Sequence, residues 1–216
     1  MRFRNWDVLV FPATDATPIQ EFTTEFCNIP DPDHAFLSKM TSEDPETPGK
    51  EESKVLPTVS TYIPMLVPGT PFQISIHSWT QPQVVATIEP GQQAMIEARL
   101  FIDGVPITYV VCPASSTWPM VVDSYPVNSA FGTRKRNLTF PAFNQDSLNQ
   151  WANGDTELGR IKIVISEGVA GTSSADDEVS YMRLKNIVCF YYRYAPQGQC
   201  QTPFTFPFLI HYPRVP

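Results

Sequence analysis

The stretch MIEARLFIDGVPITYVVC, residues 95–112, joins two apolar runs through an Asp-Gly pair. A two-residue type I′ turn needs a positive φ at both central positions, and Asp-Gly is among the pairs that adopt it most readily. Both runs alternate in polarity, which is typical of strands with one buried face. The stretch therefore predicts a β-hairpin that turns at Asp103 and Gly104.

Proline content extends the β prediction to the rest of the chain. The sequence has 22 prolines in 216 residues, about twice the usual share. An interior proline costs a helix about 3 kcal/mol, which excludes a helical bundle. Hydrophobic residues make up 42% of the chain, enough for a core. We predict one all-β domain over 1–216, a two-sheet antiparallel β-sandwich or jelly roll.

Alternating polarity predicts further strands at 2–11, 19–26, 56–63, 72–79, 118–123, 138–143, 159–167 and 184–194. One short helix is predicted over 145–152, with Asn144 as its N-cap. Two segments rich in proline, glycine and charge, 28–54 and 168–180, are predicted as mobile acidic loops. The tail 196–216 repeats aromatic residues and proline, and we expect it to pack as an extended arm across the sheet.

Charge and hydropathy narrow the classes of partner. The net charge is −7 and the pI is near 4.9, so a phosphate backbone would repel the chain and we expect no nucleic-acid partner. The basic cluster Arg134-Lys135-Arg136 is interpreted as a solvated loop. No apolar run approaches the roughly 20 residues of a membrane span, and Asp7 and Pro12 interrupt the N-terminal run. These features predict no membrane partner and a cytoplasmic or nuclear protein.

Four cysteines, at positions 27, 112, 189 and 200, contain no Cys-x-x-Cys pair. Without a secretory signal we expect four free thiols. If a leader had been removed from a secreted protein, a disulfide between Cys189 and Cys200 would be the expected alternative.

Five segments carry a resemblance to a known group: RFRNWDVLVFP at 2–12, PFQISIHSW at 71–79, FIDGV at 101–105, Trp118-Pro119, and LGRIKIVISEG at 158–168. They resemble a group of uncharacterised proteins from filamentous fungi that begin with RFRNWDVL. The likeness covers the chain outside the two acidic loops. The group has no assigned activity, so the resemblance implies an origin and a compartment and no site.

A search for catalytic patterns returns weak candidates only. The chain has three histidines and no Gly-x-Ser-x-Gly elbow, so no hydrolytic triad is indicated. Cys27, Asp31, Asp33 and His34 are close in sequence, but an Asx turn explains them better than zinc. The acids at 97, 103, 123, 157 and 167 fit a paired-carboxylate glycosidase by residue type alone. We predict no catalytic residues, no metal and no cofactor, and favour a non-enzyme.

Aromatic residues give the candidate recognition surface. In the run Tyr191-Tyr192-Arg193-Tyr194, Tyr192 and Tyr194 share one face of a strand, and Tyr191 and Arg193 share the other. One of these faces must be partly exposed. His77 and Trp79 form the second part of this candidate surface.

The leading functional hypothesis is a non-catalytic β-sandwich that acts by protein association, including self-association into a homodimer. The alternative is a carbohydrate-binding module or a carbohydrate-active enzyme on a jelly-roll scaffold, which requires an exposed row of two or three coplanar rings or an acid pair across a groove. A second alternative is a secreted fungal effector with a trimmed leader. Ser42, Ser173 and Ser174 precede acidic residues in the predicted loops and are candidates for phosphorylation.

Overall fold

A computed structural model describes residues 1–40, 55–83, 92–129, 132–144, 157–171 and 180–200. Within it β6 (Ala94–Ile102) and β7 (Val105–Pro113) form an antiparallel pair. Asp103 has a φ of 52° and Gly104 one of 79°, the two left-handed positions of a type I′ turn. The predicted hairpin is confirmed.

The remaining strands of the described residues are β1 (Arg2–Phe3), β2 (Trp6–Pro12), β3 (Phe22–Pro30), β4 (Val55–Pro64), β5 (Phe72–Ser78), β8 (Met120–Val122), β9 (Ser124–Ser129), β10 (Gly132–Asn137), β11 (Arg160–Gly171) and β12 (Ser180–Ala195). A four-stranded sheet has the order β1-β2-β5-β8, and a six-stranded sheet has the order β3-β4-β12-β11-β6-β7. The fold is an all-β sandwich, as predicted. The six-stranded sheet is mixed, because β4 and β12 run parallel.

The core lies between the two sheets and follows the period of two. Each sheet contributes the side chains of alternate positions, and each of these is at most 1% exposed: Val8, Val10, Ile74 and Ile76 from the smaller sheet, and Ile161, Ile163, Ile165, Val188, Phe190, Tyr192 and Tyr194 from the larger. Burying an aliphatic or aromatic side chain contributes about 1.5–3 kcal/mol. The two long strands β11 and β12 therefore anchor the sandwich.

The prediction of a mobile loop over 28–54 is wrong for residues 28–30 and 34–40. Residues 28–30 complete β3, and α1 (His34–Met40) follows. The Asp31 carboxylate accepts a hydrogen bond from the Asp33 N–H at 3.0 Å, an Asx turn of the kind expected from the sequence. Leu37 of α1 is buried. This one apolar side chain anchors a segment whose charged composition had predicted a loop. Residues 41–54 lie outside the described residues.

Other boundaries also differ from the predictions. Residues 168–171, assigned to the second loop, extend β11. The basic cluster Arg134-Lys135-Arg136 lies in β10, which pairs with β9, rather than in a loop. The predicted strand 138–143 is reduced to one bridge between Thr139 and Pro71, with backbone hydrogen bonds that join Leu138 and Phe140 to residues 69–72. The tail begins with α2 (Gln197–Cys200), and the predicted helix 145–152 and residues 201–216 lie outside the described residues.

Candidate functional site

The larger sheet has an outer face, turned away from the core, that carries charged and aromatic side chains. The term outer face is used here for the side chains of β3, β4, β12, β11 and β6 that alternate with the core residues and so point away from the core. Strand register arranges them in rows. One row is Tyr62–Arg193–Arg160, and the next passes through Tyr191 and Lys162 to Phe101.

Cations and aromatic rings contact each other along and between these rows. Arg193 Cζ lies 5.3 Å from the Tyr62 ring centroid, and Arg160 Cζ lies 5.2 Å from that of Tyr191. Lys162 Nζ lies 5.7 Å from the Tyr191 ring centroid. Each such contact contributes about 0.5–2 kcal/mol, depending on desolvation. The rings therefore support the cations at fixed positions on a rigid sheet.

Glu157 lies over Lys162 and Tyr191. One carboxylate oxygen accepts a hydrogen bond from the Tyr191 hydroxyl at 3.1 Å, and the other lies 3.0 Å from Lys162 Nζ. Burial, together with the neighbouring Cys189 and Glu157, raises the pKa of Tyr191. Tyr191 therefore remains a protonated donor, and Glu157 balances the charge of Lys162.

Arg160 and Arg193 form a pair of like charges, and of the two only Arg193 forms an ion pair with a described residue. They are direct cross-strand neighbours. Arg160 is 8% exposed, and in the described part of the chain its guanidinium forms no ion pair. Arg193 Nη1 donates a hydrogen bond to the Tyr62 hydroxyl at 3.0 Å and lies 3.7 Å from the Glu25 carboxylate. Burial, and then the charge of Arg193, lowers the pKa of Arg160.

At the other end of the outer face, four charged residues form a compact ion-pair cluster: Asp33, Glu97, Arg99 and Arg183. Arg183 binds Glu97 through two hydrogen bonds of 2.6 and 3.0 Å. Arg99 Nη2 lies 2.7 Å from the Asp33 carboxylate. Asn186 donates to Asp33 at 3.1 Å and accepts from Arg99 at 2.8 Å. The cluster therefore ties the turn before α1 to β6 and β12.

Two pKa shifts follow from this cluster. Burial alone would raise the pKa of Asp33, but the Asn186 hydrogen bond and the charges of Arg99 and Arg183 outweigh it and lower the pKa. Burial likewise opposes the charge on Arg183, but Glu97 and Asp33 raise its pKa. Because the pKa of Asp33 is depressed on folding, its contribution to stability is present at neutral pH and is lost as the pH falls below about 4.

Strand β12 places the side chains of residues 191–194, predicted as a recognition surface, alternately on its two faces, as the sequence alternation predicts. Tyr192 and Tyr194 face the core and are at most 1% exposed, so they cannot form a recognition surface. The Tyr192 hydroxyl donates to the Val8 carbonyl in the other sheet, which joins the two sheets. On the outer face Tyr191 is buried, with 8% of its surface exposed, and Arg193 is half-buried. Arg193 is therefore the accessible member of the run.

His77 and Trp79 lie together on the smaller sheet. Their rings are 6.3 Å apart with an interplanar angle of 18°, and Trp79 is 59% exposed. Arg2 Cζ lies 5.3 Å from the Trp79 ring centroid, so a cation already occupies one side of this ring. Trp6 is buried and packs edge-on against Trp118 at 84°. Of the four tryptophans, Trp151 lies outside the described residues.

The two edges of the six-stranded sheet differ. β7 carries Pro106, which has no N–H to donate, opposite a register shift in β6. β3 pairs with β4 on one side, and its six residues Thr23–Asn28 are exposed. Phe26 of β3 is 59% exposed and stacks on Phe3 of β1 at 5.4 Å. Within the described chain β3 is thus the long edge strand without an interior proline.

Several acids suggested for catalysis or metal binding have structural partners. The Asp103 carboxylate accepts hydrogen bonds from the Tyr194 hydroxyl at 2.7 Å and from the Gly159 N–H at 2.7 Å, and so fastens the hairpin turn to β11 and β12. Asp31 accepts from Asn186 at 2.7 Å. Acids engaged in this way act as acceptors that fix the fold.

The cysteines are free thiols. The disulfide between Cys189 and Cys200, expected for a secreted effector, is therefore wrong. Cys189 is buried beside Leu56, Val164 and Tyr191, and burial raises its pKa to about 12. Cys200 packs against Ala195, while Cys27 of β3 is exposed.

Sequence reasoning missed Arg160, Tyr62 and the ion-pair cluster. The available signal was positional: Arg160 begins a strand whose other face is Ile161, Ile163 and Ile165, so its side chain had to lie on the opposite face. The phosphorylation candidates Ser42, Ser173 and Ser174 lie outside the described residues.

A family model described as a domain of unknown function (DUF8498) matches residues 1–202. No curated protein and no solved structure matches the chain. None of the helices in the described residues combines the length and the apolar character needed to cross a membrane.

Proposed function

We propose that this chain, which belongs to the DUF8498 family of domains of unknown function, is a non-catalytic β-sandwich that acts by protein association. Its partner is a second copy of the chain, joined through edge strand β3. The observation that carries this proposal is the exposed, proline-free edge at Thr23–Asn28. An exposed edge strand presents unpaired N–H and C=O groups, which another strand can satisfy.

A second copy fits this edge because β3 is complementary to itself. The regular pairing with β4 runs from Glu25 to Pro30. Antiparallel pairing about a twofold axis at Cys27 would place Glu25 opposite Ile29 and Phe26 opposite Asn28. No like charges then face each other, and an aromatic side chain gains a neighbour, so cross-strand contacts favour the pair. A twofold contact of this type closes and forms a dimer rather than a fibre.

The proposal includes a reducing compartment, the cytoplasm or the nucleus. All four thiols are free, although two of them are exposed or half-buried. Oxidising compartments favour disulfides, whereas reducing ones keep thiols free. The exposed Cys27 is compatible with a strand interface only where thiols stay reduced.

The proposed twofold axis predicts the effect of charge at position 27. Cys27→Lys places two lysines opposite each other across the axis, and a like-charge pair costs about 0.2–1 kcal/mol, or up to about fivefold in the dimer dissociation constant. Cys27→Ser is the matched control, and we expect it to dimerise like the wild type. Light scattering over a range of concentrations measures both. A bifunctional thiol reagent should join the wild-type dimer covalently and should leave the Cys27→Ser dimer without a covalent link.

Two results would count against self-association through β3. One is a wild-type chain that remains monomeric at high concentration. The other is equal dimerisation of Cys27→Lys and Cys27→Ser, which would place the contact elsewhere.

A further inference from the structure

We infer that the cross-strand pair Arg160 and Arg193 binds the phosphate group of a small molecule on the outer face of the six-stranded sheet. This site does not depend on the proposed dimer, because the two arginines lie in the interior strands β11 and β12 rather than in the edge strand β3. The described side chains around the two arginines carry an excess of positive charge. Three cations, Arg160, Arg193 and Lys162, are neighbours here, while the described carboxylates beside them are Glu157 and Glu25.

Within the part of the chain that the structure describes, Arg160 forms no ion pair. It is 92% buried, given its 8% exposure, and none of the described residues accepts a hydrogen bond from its Nε atom. The Nε atom of Arg193 is likewise buried without a partner among these residues. Burying a charged group is costly unless it is paired and hydrogen-bonded. Two adjacent guanidinium groups with unused donors are therefore a site that an anion would complete.

The geometry favours phosphate over other anions. Each guanidinium presents a planar fork of donors that matches phosphate oxygens in pairs. A phosphate monoester carries about −1.5 to −2 charges near pH 7, which balances two arginines. The rings of Tyr191 and Tyr62 support the two guanidiniums at 5.2 and 5.3 Å, so the forks are already held in place before binding.

Arg193 is the more accessible of the two arginines. Its side chain is 24% exposed, whereas Arg160, its direct neighbour on the adjoining strand, is 8% exposed. We therefore expect a ligand to approach from the Arg193 side. A small phosphorylated molecule suits a pair of adjacent arginines, because one phosphate offers several oxygens to both forks.

Titration of the full chain with inorganic phosphate and with glycerol 3-phosphate, in chloride buffer of constant ionic strength, tests the inference. Calorimetry and the melting temperature are the readouts. We expect saturable binding to the wild type and at least a tenfold weaker affinity in Arg160→Met. Tighter binding of glycerol 3-phosphate would assign the site to a phosphorylated metabolite, and equal binding would assign it to free phosphate.

Two further variants distinguish a ligand site from a structural arginine. Arg134→Met removes an exposed cation of β10 and should leave binding unchanged. Arg160→Lys keeps the charge without the fork, and we expect weakened binding and a folded chain. In chloride alone, Arg160→Met should melt no lower than the wild type, because it removes an unpaired buried charge.

The inference would be overturned by any of three results: no saturable binding to the wild type, equal affinity in Arg160→Met, or a clear loss of melting temperature by Arg160→Met in chloride. The last result would show that the chain's own groups hold Arg160. A monomeric wild type that binds phosphate would separate this inference from the proposed dimer.

Discussion

Replacing Glu97 by alanine is expected to lower the free energy of unfolding by about 3–5 kcal/mol, the usual cost of breaking a buried ion pair from one side. The Glu97 side chain is 5% exposed and accepts two hydrogen bonds from Arg183. Its removal would leave the Arg183 and Arg99 guanidiniums sharing Asp33 alone. Urea unfolding followed by tryptophan fluorescence measures the change.

Glu25→Ala is the matched control for this prediction. Its carboxylate also faces an arginine of the outer face, but the side chain is 56% exposed and the distance to Arg193 is 3.7 Å. Exposed ion pairs contribute about 0–1 kcal/mol. Similar losses in both variants would show that the ion-pair cluster does not anchor the sheet.

Gly168→Ala is expected to destabilise the chain by about 3 kcal/mol, at the upper end of the range for overpacking. Gly168 lies in β11 beside a register shift, between Glu167 and Gly168, in the pairing with β12. A Cβ atom there would lie 2.2 Å from the Met182 carbonyl oxygen and 2.5 Å from the Tyr181 ring. Since the nearest atom is backbone of the paired strand, it could move only by separating the two strands.

Gly198→Ala provides the comparison for Gly168→Ala. Apart from its chain neighbours and the backbone of its own helix, no atom of the described residues lies within 4 Å of a Cβ built at Gly198, and alanine favours the helical conformation of α2. We expect its thermal midpoint to equal or exceed that of the wild type. A Gly168→Ala variant that melts with the wild type would mean that β11 and β12 do not pack in the register described.

Local sequence patterns predicted the sandwich because they depend on few residues. Asp103 and Gly104 fix a turn by their own backbone preferences, and the isoleucines at 161, 163 and 165 assign a face by spacing alone. A composition rich in charged residues was a poorer predictor of loops. Residues 34–40 form a helix that is held by one buried leucine and by the acidic turn before it, contacts that composition does not reveal.

The candidate site was predicted only where its residues are close in sequence. The run at 191–194 showed that Tyr191 and Arg193 share a face, and that is where the structure places them. Arg160 joins Arg193 through the pairing of β11 with β12, and Asp33 reaches Asn186 across 153 residues. Such contacts depend on strand order, and strand order has no local signature in one sequence.

Amide hydrogen exchange of β3 at two protein concentrations tests association through this edge most directly. If β3 of one copy pairs with β3 of another, the outward N–H groups of β3, none of which comes from Pro30, exchange slowly at high concentration and faster after dilution. The amides of β7, at the opposite edge, should exchange at the same rate in both samples. Exchange of β3 amides at a rate that does not change with protein concentration would contradict association through this strand.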